Sequence, residues 1–324
     1  MTVLETHGAA DPMRPGQTPG LSGGVTRMPG GQPGRLSAFL HRRPILAGYL
    51  GLSPTLTVLA VGILAPVAIL LAMSLWTRDG FGFDTTLVVD NYARIPDEPI
   101  FGAFLFRSLQ MSGIATVVTV LLCYPMAYYV AFHVHRRKML WLVLMTLPFW
   151  SSYLLRVFAW KVILGYEGVI NSALLSVGVI EAPLEFLLYS QTAVIITLAH
   201  AWAAFAILPL YVSLEKIDKS LLEAATDLGD GPVRRFLRVT LPLSMPGVIA
   251  ASFLIFIPTT GDYITPALLG GPDGAMIGNL IQLQFGAVNN WPMGAALSIT
   301  LMAWIAALGL VFLLLTRLVR ERAA

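Results

Sequence analysis

Ionisable side chains inside long apolar runs are the residues of this sequence that are best placed to do chemistry. Arg156 and Asp262 each lie within such a run, where a charged group is costly and usually faces a bundle interior or water. A carboxylate suits an ammonium group, and the aromatic faces of Trp150 and Tyr263 could add cation–π attraction. Two interpretations stay open: Arg156 and Asp262 form a structural ion pair, or Asp262 faces the path of a cationic solute. The second makes Trp150, Arg156, Asp262 and Tyr263 candidate pathway residues.

The remaining polar residues are too dispersed to suggest covalent catalysis. Cys123 is the only cysteine, and no Cys/His cluster has the spacing of a metal site. No Gly-rich loop that ends in Gly-Lys-Ser/Thr follows a strand, so a nucleotide site is not expected in this chain. No nucleophile, base and acid can be grouped from the sequence. We therefore predict a protein that is not an enzyme and has no metal or cofactor of its own.

The composition indicates a membrane protein. The 324 residues are 56% hydrophobic and only 12% charged, against about 25% charged in a typical soluble domain. Such a chain cannot hide its apolar residues in one water-soluble core, so a bilayer must solvate them. The net charge of +3 gives no reason to expect a nucleic-acid partner.

Six apolar stretches are long enough to cross a bilayer, which takes about 20 helical residues. They run approximately over residues 49–76, 104–132, 140–164, 192–214, 244–269 and 293–318. Residues 1–43 are rich in Gly and Pro and predict a disordered tail. The sequence thus predicts an all-α, polytopic membrane protein with a tail at 1–43 and a transmembrane domain at 44–324.

The distribution of Lys and Arg predicts the orientation of the spans. Basic residues concentrate in the tail, in the loops after the second and fourth spans, and at the C-terminus. The opposite loops carry only Arg78 and Arg94 among many acidic residues. Both termini are therefore expected on the cytoplasmic side, which agrees with an even number of spans.

The longest basic loop, at about residues 215–243, has the pattern of two short helices with a break. Ser220 and Glu223 fit a capping box, in which each side chain satisfies a free backbone amide. Gly229 permits the left-handed conformation that ends a helix. Pro232 suits the first turn of the next helix, and Pro242 is expected to separate that helix from the fifth span.

Both predicted loop helices have an apolar side. The first has four apolar residues at helical spacing, namely Leu221, Leu222, Ala225 and Leu228. The pattern alone favours equally a helix pair on the membrane surface and a helix that fits a groove of a partner protein.

The spacing of this loop resembles the hallmark loop of permease subunits of ABC importers. The matching positions are Glu223, Ala224, Ala225, Gly229, Leu241 and Pro242. In that family the loop forms a coupling helix that sits in a cleft of an ATPase subunit. The resemblance implies an ATPase-coupling set of Leu221, Leu222, Glu223, Ala224, Ala225, Asp227, Gly229, Phe236, Leu241 and Pro242. Within it, Leu221 and Leu222 are the candidates for direct contact, and Glu223 shapes the helix.

Other motifs resemble the spermidine/putrescine branch of these permeases. They include residues 148–156, 208–211, 261–266 and 290–296. The resemblance implies the type I ABC importer permease fold in a bacterial inner membrane and a polyamine cargo. It also implies an ATPase dimer that binds the ATP, a second homologous permease subunit and a periplasmic substrate-binding protein as partners.

Two alternatives to polyamine import remain at this point. The same architecture could import another small solute, such as iron, thiamine, an opine or an amino-acid-like cargo. A self-sufficient, ion-coupled secondary transporter belongs to a different class. Such transporters often have duplicated halves around a midplane site, and no clear duplicated half is seen here.

Overall fold

The computed structural model describes residues 44–80 and 82–323, so the predicted disordered tail at 1–43 lies outside the described residues. The chain divides into two compact units, residues 1–63 and 64–324. The described part of the first unit is the beginning of one helix, and its described side chains, from residue 52 to 63, are all exposed. An apolar helix surface of this kind suits contact with lipid.

The described residues are mainly helical. The elements of the first half are α1 (Pro44–Ser74), β1 (Thr77–Asp79), β2 (Gly82–Asp84), α2 (Asp90–Asp97), α3 (Pro99–Phe132), α4 (Lys138–Thr146), α5 (Tyr153–Ile163) and α6 (Val169–Ser176). Those of the second half are α7 (Gln191–Ala201), α8 (Ala203–Glu215), α9 (Lys219–Asp227), α10 (Pro232–Arg235), α11 (Leu241–Thr260), α12 (Ile277–Phe285) and α13 (Trp291–Ala323). The antiparallel hairpin of β1 and β2 pairs Arg78 with Phe83.

Six candidate membrane spans can be counted in the described residues. Four helical stretches are long and apolar enough by themselves: Leu52–Ser74, Pro99–Phe132, Pro232–Thr260 and Trp291–Leu314. Two more pass only as bent pairs, Lys138–Trp150 with Tyr153–Ile163 (84°) and Gln191–Ala201 with Ala203–Glu215 (49°). The predicted number of six is confirmed when each bent pair is counted as one span.

The fifth span differs from its predicted position at 244–269. Its helix begins before Ser244 and ends at Thr260, because the backbone leaves the helical path at residues 261–263. The apolar residues from Pro266 to Gly270 form a separate π-helical turn. Hydropathy alone could not separate the two because both are apolar.

Helix α3 runs through all three hydrophobic clusters of the described core. Its first turn supplies Phe101 to a cluster with α12 and α13. Met111 and Ala115 join residues of α5 and α7, and Cys123 and Ala127 join residues of α8 and α11. A single helix thereby packs against most of the other long elements of the second unit.

Helices α8 and α11 approach each other at Gly247. A Cβ atom there would lie against Ser213 Cβ and 2.6 Å from the carbonyl oxygen of Pro209. The backbone amide of Gly247 donates to Ser213 Oγ at 3.2 Å. The absence of a side chain at Gly247 therefore allows this close helix pair.

Candidate functional site

Three helical spans are interrupted, and side chains at the interruptions contact one another. The first interruption is at residues 151–152, between a 3-10 turn (Leu147–Trp150) and α5. The second is at Trp202, between α7 and α8, and the third is at residues 261–263, after α11. Backbone without regular helical bonding inside a membrane protein is tolerated where it is buried in protein or lines a cavity. We call this region the broken-span cluster.

Tyr153 joins all three interruptions. Its hydroxyl donates a hydrogen bond to Oδ2 of Asp262 at 2.5 Å and lies 2.6 Å from Oγ1 of Thr265. Its ring is tilted against Trp202 with the centroids 6.2 Å apart. Oδ1 of Asp262 accepts from the backbone amide of Ile264 at 2.9 Å. The carboxylate is thus held in place by hydrogen bonds from one phenol and one backbone amide.

Arg156 does not pair with Asp262, so the ion-pair interpretation is wrong. Among the described residues no Arg156–Asp262 ion pair is present. Nη1 of Arg156 donates instead to the carbonyl oxygen of Pro148 at 2.7 Å. The guanidinium lies over the rings of Phe149 and Tyr153, 5.4 and 5.8 Å from their centroids. The Pro148 carbonyl at the bend also accepts from the amide and the hydroxyl of Ser151, and the hydroxyl of Tyr153 is the side-chain partner of Asp262.

The other two predicted pathway residues lie beside these interruptions. Trp150 is 80% exposed and ends the 3-10 turn before α5. Tyr263 is 45% exposed and follows Asp262 directly. Its backbone carbonyl accepts a hydrogen bond from Asn279 Nδ2 at 2.8 Å. The predicted set is therefore spread around the broken-span cluster, with Asp262 held inside it and two exposed aromatic side chains beside it.

The loop at 215–243 contains the two predicted helices, α9 and α10, but its first cap is different. Asp218, not Ser220, is the N-cap of α9, and its carboxylate accepts from the amide of Ser220 at 3.0 Å. The predicted capping box of Ser220 and Glu223 is wrong because the helix already begins at Lys219. This hydrogen bond lowers the pKa of the Asp218 carboxyl. The contribution of this hydrogen bond to folding stability is therefore present near neutral pH, and it is lost as the pH falls through the lowered pKa of Asp218.

The break between α9 and α10 follows the prediction. Gly229 has a φ of +87°, and its amide donates to Thr226 O at 2.9 Å. The next amide, of Asp230, donates to Ala225 O at 3.0 Å, which completes a Schellman motif. Pro232 occupies the first turn of α10. Both sequence predictions for this turn are confirmed.

Pro242 does not separate α10 from the fifth span, which corrects the prediction. A π turn at Phe236–Thr240 joins them, so that helix runs from Pro232 to Thr260. The amide of Leu241 bonds to the carbonyl of Phe236, five residues back. Pro242 follows this π turn directly and lies within the continuous helix.

The predicted ATPase-coupling residues divide into an outer and an inner group. Those exposed are Leu221, Glu223, Ala224, Asp227, Gly229 and Pro242. Leu222 and Leu241 are half-buried, and Ala225 is buried. Phe236 is half-buried and contacts aromatic rings of α3. Leu228, placed by the sequence on the apolar face, is 87% exposed and is a further candidate for partner contact.

A protein-family comparison agrees with this geometry. Residues 44–324 match the family described as binding-protein-dependent transport system inner membrane component. This range covers every predicted span and the whole loop at 215–243.

The chain belongs to this family. It is thus a multi-pass inner-membrane permease of a binding-protein-dependent transport system.

Two curated relatives show how far the similarity of this permease extends. The spermidine/putrescine transport system permease protein PotB of Haemophilus influenzae is 39% identical over 261 residues, which are 80% of this chain and 91% of the relative. PotB of Escherichia coli is 38% identical over 265 residues, 82% of this chain and 96% of the relative. The resemblance to the spermidine/putrescine branch is confirmed.

A solved structure supports the fold. A chain of a bacterial alginate ABC transporter, crystallised with an alginate pentasaccharide-bound periplasmic protein, matches with a TM-score of 0.64. The match covers 86% of the permease and 95% of that chain, at 18% identity. The predicted type I ABC importer permease fold is therefore confirmed.

Sequence reasoning did not select several residues that position the site in this permease. Tyr153 and Trp202 are apolar enough to pass as ordinary span residues, and the helix bends bring Tyr153 to Asp262 and Trp202 to Tyr153. Asp230 has a signal that could have been used, because an acidic residue stands four and eight positions before Arg234 and Arg238. Oδ1 of Asp230 lies 3.8 Å from Nε of Arg234 and 3.4 Å from Nη1 of Arg238. The pair with Arg234 has the i, i+4 spacing at which helical side chains meet.

Gly278 supports the interruption after α11, and replacing it is expected to disrupt the broken-span cluster. A Cβ at Gly278 would lie 2.8 Å from the carbonyl oxygens of both Gly261 and Asp262. Gly278→Ala should therefore destabilise the permease by about 1–3 kcal/mol, as overpacking does. The matched control is Gly261→Ala, where a Cβ meets no atom within 4 Å. Thermal unfolding in detergent tests the pair, and equal effects of the two substitutions would contradict the expectation.

Proposed function

We propose that this permease is a transmembrane subunit of an ATP-driven importer of polyamines such as spermidine and putrescine. A partner ATPase dimer binds the ATP, and a periplasmic binding protein delivers the cargo. A second homologous permease subunit completes the pathway. The chain itself supplies a path and a mechanical link and carries out no covalent chemistry.

The observation that carries the cargo proposal is the carboxylate of Asp262 at the meeting point of three interrupted spans. A negative charge in a membrane protein is a functional-site hypothesis by default, and a polyamine offers the matching ammonium groups. The exposed rings of Trp150 and Tyr263 offer faces for cation–π contact. The names of the two PotB relatives point to the same cargo.

The coupling proposal is supported by the geometry of the loop at 215–243. Helix α9 is short, is capped at both ends, and exposes Leu221 and Leu228, as a helix that enters a partner groove requires. The bias of Lys and Arg toward this end supports a cytoplasmic position for the loop and for both termini. On the cytoplasmic side the loop at 215–243 is within reach of an ATPase subunit.

Reconstitution tests the proposed function. The permease is co-expressed with its second permease subunit and the ATPase, and is placed in proteoliposomes that contain ATP. Radiolabelled spermidine is added outside with the binding protein, and we expect uptake that stops when a non-hydrolysable ATP analogue replaces ATP. Uptake driven by an ion gradient without the ATPase would contradict the importer class. ATP-dependent uptake of another solute, with spermidine and putrescine excluded, would contradict the polyamine cargo alone.

A further inference from the structure

The second half of the loop at 215–243 turns toward the bundle at Phe236. The Phe236 ring meets the ring of Tyr124 edge-on, with centroids 5.7 Å apart and an interplanar angle of 88°. It meets Tyr128 at 6.3 Å and 73°. Both tyrosines belong to α3, and edge-to-face packing is a favoured aromatic geometry. Phe236 is thus packed within this chain and is not offered mainly to an outside partner.

Side-chain bonds join α9 and the break after it to residues close to Phe236 in the sequence. Nη1 of Arg235 donates to Thr226 Oγ1 of α9 at 2.7 Å. Nη1 of Arg238 lies 3.4 Å from Oδ1 of Asp230 in the break. Arg235 ends α10 and Arg238 lies on the π turn, so these contacts join α9 and the break after it to both sides of Phe236.

The same end of α3 is fastened to the beginning of α11. The hydroxyl of Tyr124 lies 2.7 Å from Ser244 Oγ, and Ser244 Oγ donates to Leu241 O at 3.1 Å. Ser244 and Thr240, the last residue of the π turn, are buried. Tyr124 therefore contacts the loop through its ring and the fifth span through its hydroxyl.

Helix α3 then reaches the interruption at Trp202. Thr119 Oγ1 lies 3.4 Å from the carbonyl oxygen of Ala199, and Cys123 Sγ lies 3.6 Å from that of Ala203. These carbonyls flank Trp202, whose ring contacts Tyr153, the partner of Asp262. A continuous series of contacts joins the loop to the broken-span cluster.

We propose that the Phe236–Tyr124 contact is an internal link through which movement of the 215–243 loop reaches the broken-span cluster by way of α3, beside the continuous helix that runs from Pro232 to Thr260. The proposal rests on the proposed function, since it needs an ATPase to move the loop. Phe236 is then a positioning residue of the coupling machinery. Tyr124 transmits mainly through its ring, because the ring and not the hydroxyl faces Phe236.

Contact between residues does not by itself demonstrate coupling, so the test measures coupling in the assembled complex. The readouts are spermidine uptake and the ratio of ATPase activity with spermidine-loaded binding protein to activity without it. Phe236→Ala should lower that ratio roughly twofold to thirtyfold, the usual range for substitutions along a coupling network. The ATPase subunits should still co-purify with the permease in wild-type amount.

Tyr124 provides matched variants. Tyr124→Ala should lower the ratio as Phe236→Ala does, whereas Tyr124→Phe keeps the ring and should preserve it. The double variant Phe236→Ala/Tyr124→Ala should lose no more than either single variant, because both remove one contact. Phe236→Leu keeps an apolar side chain and replaces Phe236→Ala in the test if the alanine variant does not assemble. It should also lower the ratio, because it removes the ring that contacts Tyr124.

Three results would overturn the link. The first is a wild-type ratio in Phe236→Ala or Phe236→Leu, and the second is additive loss in the double variant. The third is loss of the ATPase subunits from the Phe236→Ala complex, which would make Phe236 an ATPase contact. If the wild-type complex itself shows no stimulation by spermidine-loaded binding protein, the proposed polyamine function fails instead, so the two failures are distinguishable.

Discussion

Replacement of Gly229 by leucine is expected to uncouple ATP hydrolysis from transport while cargo binding stays intact. Gly229 has a φ of +87°, and a residue with a Cβ pays about 1–2 kcal/mol in the left-handed conformation. A penalty of that size lowers the population of the turned loop about fivefold to thirtyfold. Without this turn α9 no longer packs back on α10, so uptake should fall by a similar factor.

Two variants separate the backbone effect from side-chain bulk. Gly231 is two residues away, has a φ of −67°, and likewise has nothing within 4 Å of an added Cβ. Gly231→Leu should therefore keep most of the uptake. Gly229→Asn should be milder than Gly229→Leu, because Asn tolerates the left-handed region. Uptake and ATPase activity are measured in the same proteoliposomes, and wild-type uptake in Gly229→Leu would show that the turn is not needed.

The parts of the loop that were predictable from the sequence depend on local chemistry. A glycine at the end of a short apolar repeat and a proline three residues later allow few backbone conformations, so Gly229 and Pro232 were placed correctly. The cap was misplaced because Asp218 and Ser220 are both good cap residues. The choice between them follows from where the chain leaves the core, since Ile217 is still buried.

Other features depend on contacts that the sequence does not encode locally. Pro242 signals a helix end by the usual rule, but a π turn before it absorbs the change and the helix continues. The charges of Arg156 and Asp262 suggested an ion pair across the bundle because they are opposite and lie in the apolar third and fifth spans. Their separation depends on Tyr153, which the helix bend inserts as the partner of Asp262.

Neutralising Asp262 is expected to reduce polyamine uptake strongly without disassembling the complex. In Asp262→Asn the amide keeps an oxygen for the Ile264 amide, a bond of 2.9 Å in the wild type. The Tyr153 hydroxyl can turn to accept from the new amide group, so the local geometry is preserved. What is lost is the negative charge. A hydrogen bond to a charged group contributes about 1.5–3 kcal/mol, so uptake should fall about tenfold to a hundredfold.

The controls for Asp262→Asn distinguish cargo recognition from a structural role. Asp273→Asn removes an exposed carboxylate and should leave uptake near the wild-type rate. Tyr153→Phe removes the hydroxyl bound to Asp262 but keeps the carboxylate, so it should reduce uptake less than Asp262→Asn does. Complex assembly is checked by co-purification of the ATPase, and initial rates of spermidine uptake are compared at several concentrations. Normal uptake by an assembled Asp262→Asn complex would remove Asp262 from the cargo path. A larger loss in Tyr153→Phe would assign the carboxylate to holding the interrupted spans together, because the phenol is what links Asp262 to α5.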